Sequence, residues 1–481
     1  MKLVINYIST LVYQLLIVVL PILTLPYLSR IFLPQNMGVN SLITSISSYF
    51  LLFAVFGLAV HGQKETAFYA NDTIHLRKVF WEIEILSIFL TLVSAITYMF
   101  TILVMPEYRL YILATTPLIL ANALDISWLF IGLQQLPMVM TRNFIIKLVT
   151  VMAIFNFVKS NNDLFILMSI NSISAVVSNV YLWFFLPKKL RFKPVKIQNI
   201  KRHFVSGAFL FIPAVSIAVY TILSRIILGM FGSLKDVAYF DNSDKIIRTL
   251  LTIITAATLT IMPEISRLFS THKNDEIFVL LKKVLLLSLG FAMPVTIGAA
   301  IVSPQFATIF FGLPYQKTGA VMQIEVWIMV PIAIANVIAN QYFVPMNKGK
   351  YITYAVSLGA MMNIFISIPL VIYFGAIGTA IAILTTEILV TTIEIFQMGK
   401  NFKKIIEAKE LAKIIISSVI MGVTALLVKY FTNNLSNHYQ IISTVCMGCV
   451  SYILMLLLFK SDILKLCFHN MSRRKPDKKL K

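Results

Sequence analysis

The 481-residue chain is short of charge: Asp, Glu, Lys and Arg make up 13% of it, about half of what a soluble domain carries. Such a surface faces something other than water. Acidic residues are scarcest, 20 against 41 lysines and arginines, for a formal net charge of +21. Cysteine is nearly absent. Of three residues, Cys446 and Cys449 stand in an apolar run without a neighbouring histidine or third thiol, so small hydrophobes are expected rather than a redox or metal centre. The six histidines form no metal-binding set, and no Walker loop, G-x-S-x-G elbow or H-E-x-x-H helix occurs. These absences argue against ATP hydrolysis and hydrolytic catalysis by this chain. The first apolar segment is too long for a signal core and reads as an uncleaved span.

What is present is hydrocarbon: 58% of residues are hydrophobic and the mean hydropathy is +0.85. Segments 13–28, 83–105, 281–302 and 439–459 approach or exceed the roughly 20 residues a helix needs to cross about 30 Å of hydrocarbon. Barrel strands would be shorter and alternating, so an all-α integral membrane protein is expected. Fourteen spans are read: 7–29, 39–61, 81–104, 110–133, 143–158, 164–186, 205–230, 246–268, 283–302, 321–344, 353–374, 377–397, 411–430 and 438–459.

An even count puts both ends on one side, and retention of lysine and arginine in the cytoplasm decides which. With the N-terminus inside, 32 of the 41 basic residues are cytoplasmic; Arg30, Arg109, Lys159, Arg225, Lys235, Lys245, Arg248, Lys317 and Lys429 are the remaining nine. An inner-membrane protein with cytoplasmic termini is expected. The basic runs at 187–203 and 473–481 read as anchors beside an anionic leaflet, not as nucleic-acid surfaces. The expected division is a six-helix bundle over 1–187, a basic linker 188–204, a second bundle 205–399, two helices within 400–460 and a basic tail 461–481. A faint echo links the halves: Pro21, Pro26, Arg30 and Gly38 in one, Pro213, Arg225 and Ala238 in the other. Many transporters are built from two such repeats.

Four stretches carry a family pattern. The first is Pro26-Tyr27-Leu28-Ser29-Arg30, then Gly38, Tyr49-Phe50, Gly57 and Gly62-Gln63-Lys64-Glu65. The second is Asp125-Ile126-Ser127-Trp128-Leu129-Phe130-Ile131-Gly132-Leu133 with Arg142-Asn143. The third joins Phe211-Ile212-Pro213, Tyr220 to Arg225, Leu228-Gly229 and Val237 to Phe240. The fourth is Gly375-Ala376-Ile377-Gly378 leading to Thr386-Glu387. Together they resemble the Wzx-type flippases of polysaccharide biosynthesis, in the MOP superfamily with the MATE exporters and lipid II flippases. Lys64 stands where that family usually has arginine, Ser224 where it has aspartate, and Gln135 near an acidic position.

The resemblance implies a MATE-like fold, with two six-helix bundles around a central cavity and two appended C-terminal helices. It implies flipping of an undecaprenyl-pyrophosphate-linked oligosaccharide repeat unit to the outer leaflet for capsule, exopolysaccharide or a related envelope glycan. Polysaccharide polymerase and glycosyltransferases are the expected protein partners. A MATE-type multidrug exporter is the alternative. A membrane-embedded polymerase or acyltransferase fits less well, because every outer loop is short.

Moving an anionic pyrophosphate and a sugar through hydrocarbon requires fixed positive charge and donors in place of water. Ionisable residues within spans are costly and mark cavities or pairs. Arg30, Lys64, Arg142, Arg225 and Arg248 are the candidate substrate-binding cations, since the guanidinium fork suits phosphate oxygens; the competing reading is snorkelling to headgroups. Asp125 and Glu387 are candidate coupling carboxylates or ion-pair partners, the pair with arginine being favoured for Asp125, and Glu325 is a further intramembrane charge. No cofactor or metal is expected, and a proton or sodium ion is the candidate coupling ion. Trp128, Trp183 and Trp327 are read as interfacial anchors with sugar stacking as the alternative. Pro21, Pro26, Pro213, Pro294 and Pro331 are candidate kinks.

Overall fold

In hydrocarbon every backbone N–H must find its carbonyl within its own segment, and the long apolar runs accordingly become helices. The computed structural model describes residues 19–192, 194, 197–259 and 261–464, and among them there is helix and turn but no strand. Ten helices are long and apolar enough to cross a membrane, or eleven when Asn199–Ile212 and Val215–Phe231, bent by 42°, count as one broken span. The sequence places Pro213 in that bend.

The longest helix, Gly349–Met398, has 50 residues and would run about 75 Å if straight, more than twice the hydrocarbon. It is broken at Gly375, at φ 55° and ψ −128°, a region essentially reserved for glycine. The two arms match the expected spans 353–374 and 377–397, which brings the crossings to twelve. Of the two other expected spans, 7–29 lies largely outside the described residues. Span 246–268 coincides with Leu234–Leu259 and Met262–Ser270, of which the first opens with a charged stretch.

The chain forms two compact units, Met1–Ala238 and Tyr239–Lys481; the basic linker 188–204 belongs to the first. That unit is organised around an apolar cluster that includes Leu58, Phe80, Ile83, Trp128, Leu129 and Phe130. Helix Leu58–Phe68 packs against Ser127–Gly132 because Gly62 leaves room for an indole: a Cβ there would lie 2.5 Å from the Trp128 ring. The linker is tied down where Trp81 Nε1 donates to the Leu190 carbonyl at 2.9 Å.

In the second unit, Asn274–Phe311 runs 38 residues through Pro294 and Pro304 without interruption. Helices Ala408–Phe431 and Asn437–Leu458 pack on it, with Tyr452 Oη donating to the Gly290 carbonyl at 2.7 Å. Cys446 and Cys449 are exposed on the last of these helices, on the surface of the fold rather than inside it. The basic residues 465–481, and Cys467, lie outside the described part.

Candidate functional site

In the first unit the helix that follows Pro106 comes apart within the expected span 110–133. Arg109–Leu120 passes into a 3-10 turn at Ala121–Leu124, Asp125 is extended, and the helix restarts at Ser127–Gly132. Three of the backbone groups released there find a side chain. The Ala121 carbonyl accepts from Asn179 Nδ2 at 2.7 Å and the Leu124 carbonyl from Trp183 Nε1 at 2.9 Å. Asp125 Oδ1 accepts from the Ser127 N–H at 2.9 Å and thereby starts the second half. Among the described residues no ion pair between Asp125 and an arginine is found.

Arg142 projects into the same polar interior. It is 6% exposed; its guanidinium donates to Asn143 Oδ1 at 3.1 and 2.7 Å, to the Ser178 carbonyl at 3.3 Å and to Asn179 Oδ1 at 3.5 Å. Asn179 therefore joins Arg142 to the broken helix. Arg30 is exposed and bonds the Pro26 carbonyl one turn back at 3.0 Å, the reach of a helix-terminal arginine. Arg225 bonds the Thr221 carbonyl at 2.7 Å, at the end of a π-helical segment, Val219–Leu223. Lys64 is exposed beside Glu65, Phe68 and Tyr69. The structure thus links Arg142 through Asn179 to the Ala121 carbonyl of the broken helix and leaves Arg30 and Lys64 at the surface.

The second unit holds a separate charged cluster. Arg248 Nε meets both oxygens of Asp244, at 2.7 and 2.8 Å, so the expected phosphate-binding arginine is spent on a carboxylate of its own helix. Lys245 pairs with Asp241 at 2.5 Å. Glu325, fully buried, accepts from Ser243 Oγ. Glu387 feels the charges of Arg248 and Asp244, and Glu394, one helical repeat further on, feels Glu387.

The tryptophans are not all anchors. Trp128 is 3% exposed in the apolar cluster and faces Phe80 at 5.5 Å, Trp183 caps the broken helix, and Trp327 alone of the three is widely exposed. The sequence analysis singled out none of Glu82, Glu84, Asp241, Asp244, Glu394 and Glu410, all of which are buried.

Comparison with known proteins bears on the family and the fold. Residues 3–269 match the model of the family described as "Polysaccharide biosynthesis protein". A relative in Escherichia coli (strain K12), named "Putative O-antigen transporter", is 24% identical over 390 residues, covering 79% of this chain and 93% of the relative. One of the same name in Shigella dysenteriae is 23% identical over 375 residues, covering 77% and 93%. Among solved structures, the lipid II flippase MurJ in an inward closed conformation superposes with a TM-score of 0.75 at 17% identity, over 96% of this chain and 100% of that one. An inward-facing MATE multidrug transporter of the MOP superfamily gives 0.58 at 14% identity, over 82% and 98%. The fold is that of the MurJ and MATE membrane transporters, and the chain, matched over more than half its length, is a member of the polysaccharide biosynthesis protein family.

Proposed function

We propose that the protein flips an undecaprenyl-pyrophosphate-linked oligosaccharide repeat unit from the cytoplasmic to the outer leaflet of the inner membrane, by alternating access, for capsule, exopolysaccharide or a related envelope glycan. The observation that carries this reading is the fold likeness to a lipid II flippase along almost the whole chain, joined to the polysaccharide family match. The MATE exporter alternative has the weaker superposition and no support from the family. Nothing in the reading calls for catalysis, because the substrate changes leaflet and not covalent structure.

Both termini face the cytoplasm in this proposal, because the basic loops then fall on the retained side. Arg142 receives the pyrophosphate, its fork held ready by Asn143 and Asn179; Arg225 serves further along the path, while Arg30 and Lys64 attract the anion at the membrane surface. Arg248, bound by Asp244, sets the charge of the second unit instead of meeting phosphate. A proton or sodium gradient drives the cycle through Asp125 and Glu387. A polysaccharide polymerase and glycosyltransferases work on either side of the step. The test is leaflet accessibility of lipid-linked sugars in cells depleted of the protein. Accumulation in the inner leaflet supports flipping; an unchanged distribution with altered drug tolerance favours the exporter.

A further inference from the structure

Helix Thr73–Met99 buries Glu84 completely, at 0% exposure, and neither carboxylate oxygen has a hydrogen-bond partner among the described residues. A bare carboxylate so placed is prohibitively expensive, because removing an isolated charge from water costs far more than any packing returns. The group must therefore hold a ligand that cancels its charge. Asp125 is the titratable group whose charge Glu84 meets. It lies where the neighbouring helix is unwound, at φ −84° and ψ 96°. The 3-10 turn before it packs on the Thr73–Met99 helix, fastened by Asn122 Nδ2 donating to Thr91 Oγ1 at 2.9 Å. Unwound backbone within a membrane bundle is tolerated where it lines a cavity or an ion site, and transporters place their coupling ions there.

The oxygens left at the break decide which ion. A hard metal cation asks for about six oxygen ligands. The freed carbonyls are already engaged: Ala121 by Asn179, Leu124 by Trp183, and Asn122 by the Asp125 N–H at 3.1 Å. Asp125 Oδ1 is engaged by Ser127. Among the described residues no group of three or more His, Cys, Asp or Glu that could hold a metal ion is present. The acidic oxygens at the break are those of Glu84 and the second oxygen of Asp125, and a proton needs one.

We propose that Glu84, buried on the helix that packs against the break at Asp125, is a proton-binding site of the first unit. Among the described residues Asp125 is the charged group that acts on Glu84; Glu82, two residues earlier on the same helix, is turned to His203 and Arg202. The site deepens the flippase reading by identifying what its driving ion binds, but the occupancy of Glu84 by a proton does not depend on that reading.

The experiment is infrared spectroscopy of the purified full chain in lipid vesicles, titrated through neutral pH. The wild type should show a protonated-carboxyl stretch that Glu84→Gln removes by one carboxyl's worth and whose titration midpoint Asp125→Asn displaces. The Asp125→Asn arm keeps the test decisive where Glu84→Gln does not fold. A spectrum unchanged by Glu84→Gln, a midpoint unmoved by Asp125→Asn, or displacement of the band by sodium at constant pH would each overturn the proposal, the last by making the site a metal-cation site. Failure of the leaflet assay would remove the flippase reading and leave this result standing.

Discussion

Nε2 of His61 lies 2.8 Å from Nδ1 of His203, and the far nitrogen of His203 meets Glu82 Oε2 at 3.0 Å. Arg202 reaches the same oxygen at 3.0 Å. The chain of contacts joins three helices, Leu58–Phe68, Thr73–Met99 and Ile197–Ala218; His61, His203 and Glu82 are buried, at 7%, 1% and 0% exposure, while the Arg202 side chain is half exposed. Removing one member leaves a buried hydrogen-bond partner unsatisfied, at a cost of about 1–3 kcal/mol. Glu82→Ala should therefore lower the thermal unfolding midpoint in detergent markedly, and His61→Ala by less. Equal midpoints for Glu82→Ala and wild type would show that the clasp contributes nothing.

The contact of Gly62 with the Trp128 ring predicts a size-dependent defect. Gly62→Val drives methyl groups into the indole, and overpacking of this kind costs about 1–3 kcal/mol. Pairing it with Trp128→Phe should recover part of the loss, because residues in contact couple in a double-mutant cycle. Strictly additive losses would contradict the contact.

Arg142 and Arg225 are separable by their replacements in cells depleted of the native protein. Charge-assisted hydrogen bonds are worth about 1.5–3 kcal/mol, so Arg142→Ala should reduce surface polysaccharide about tenfold or more. Arg142→Lys should recover little, because an ammonium cannot span Asn143 and Asn179 together. For Arg225, loss in both Ala and Lys variants argues for a forked phosphate contact, and full activity in both removes it from the site.

The loop 158–163 carries a pH dependence of defined sign. Asp163 Oδ2 accepts from the Lys159 and Ser160 N–H groups, each at 2.8 Å, and these bonds hold its carboxyl below the ordinary 3.8. A lowered folded-state value contributes stability that is present above the unfolded value and disappears as pH falls through the folded one. Asp163→Asn should thus weaken the protein at neutral pH and make no difference at pH below the ordinary aspartate range. Amide exchange at Lys159 and Ser160 measures it, and a difference that grows on acidification would refute it.

Most spans were legible because hydropathy is a local property, and 353–374 and 377–397 read as two spans because an apolar run of that length cannot be one crossing. Asp125 and Arg142 were legible as charges out of place. Glu84 was not. It stands in Phe80-Trp81-Glu82-Ile83-Glu84-Ile85, where two acids near a basic loop look like the fringe of a span. Residues two apart do not face the same way on a helix, and both acids are buried, so each meets a different neighbour. Asp125 is 41 positions away from Glu84, and nothing local links them. The pairing of Arg248 with Asp244 was the easier miss, since a four-residue spacing on one helix invites it. Of the motif glycines, Gly62 makes room for the Trp128 ring and Gly378 for the Leu370 carbonyl.

Gly375 turns the Gly349–Met398 helix back on itself, and the arms are then locked in register. Asn363 Nδ2 bonds Thr386 Oγ1 at 2.8 Å, a Cβ on Gly359 would lie 2.3 Å from Val390, and one on Gly378 would lie 1.9 Å from the Leu370 carbonyl oxygen. Packing this close opposes sliding of one arm past the other, and the Asn363–Thr386 bond opposes their parting. Whatever the carrier does during a turnover, these two crossings travel as a single lever, and a disulfide staple between their arms would leave transport untouched while one from either arm to a third helix would jam it.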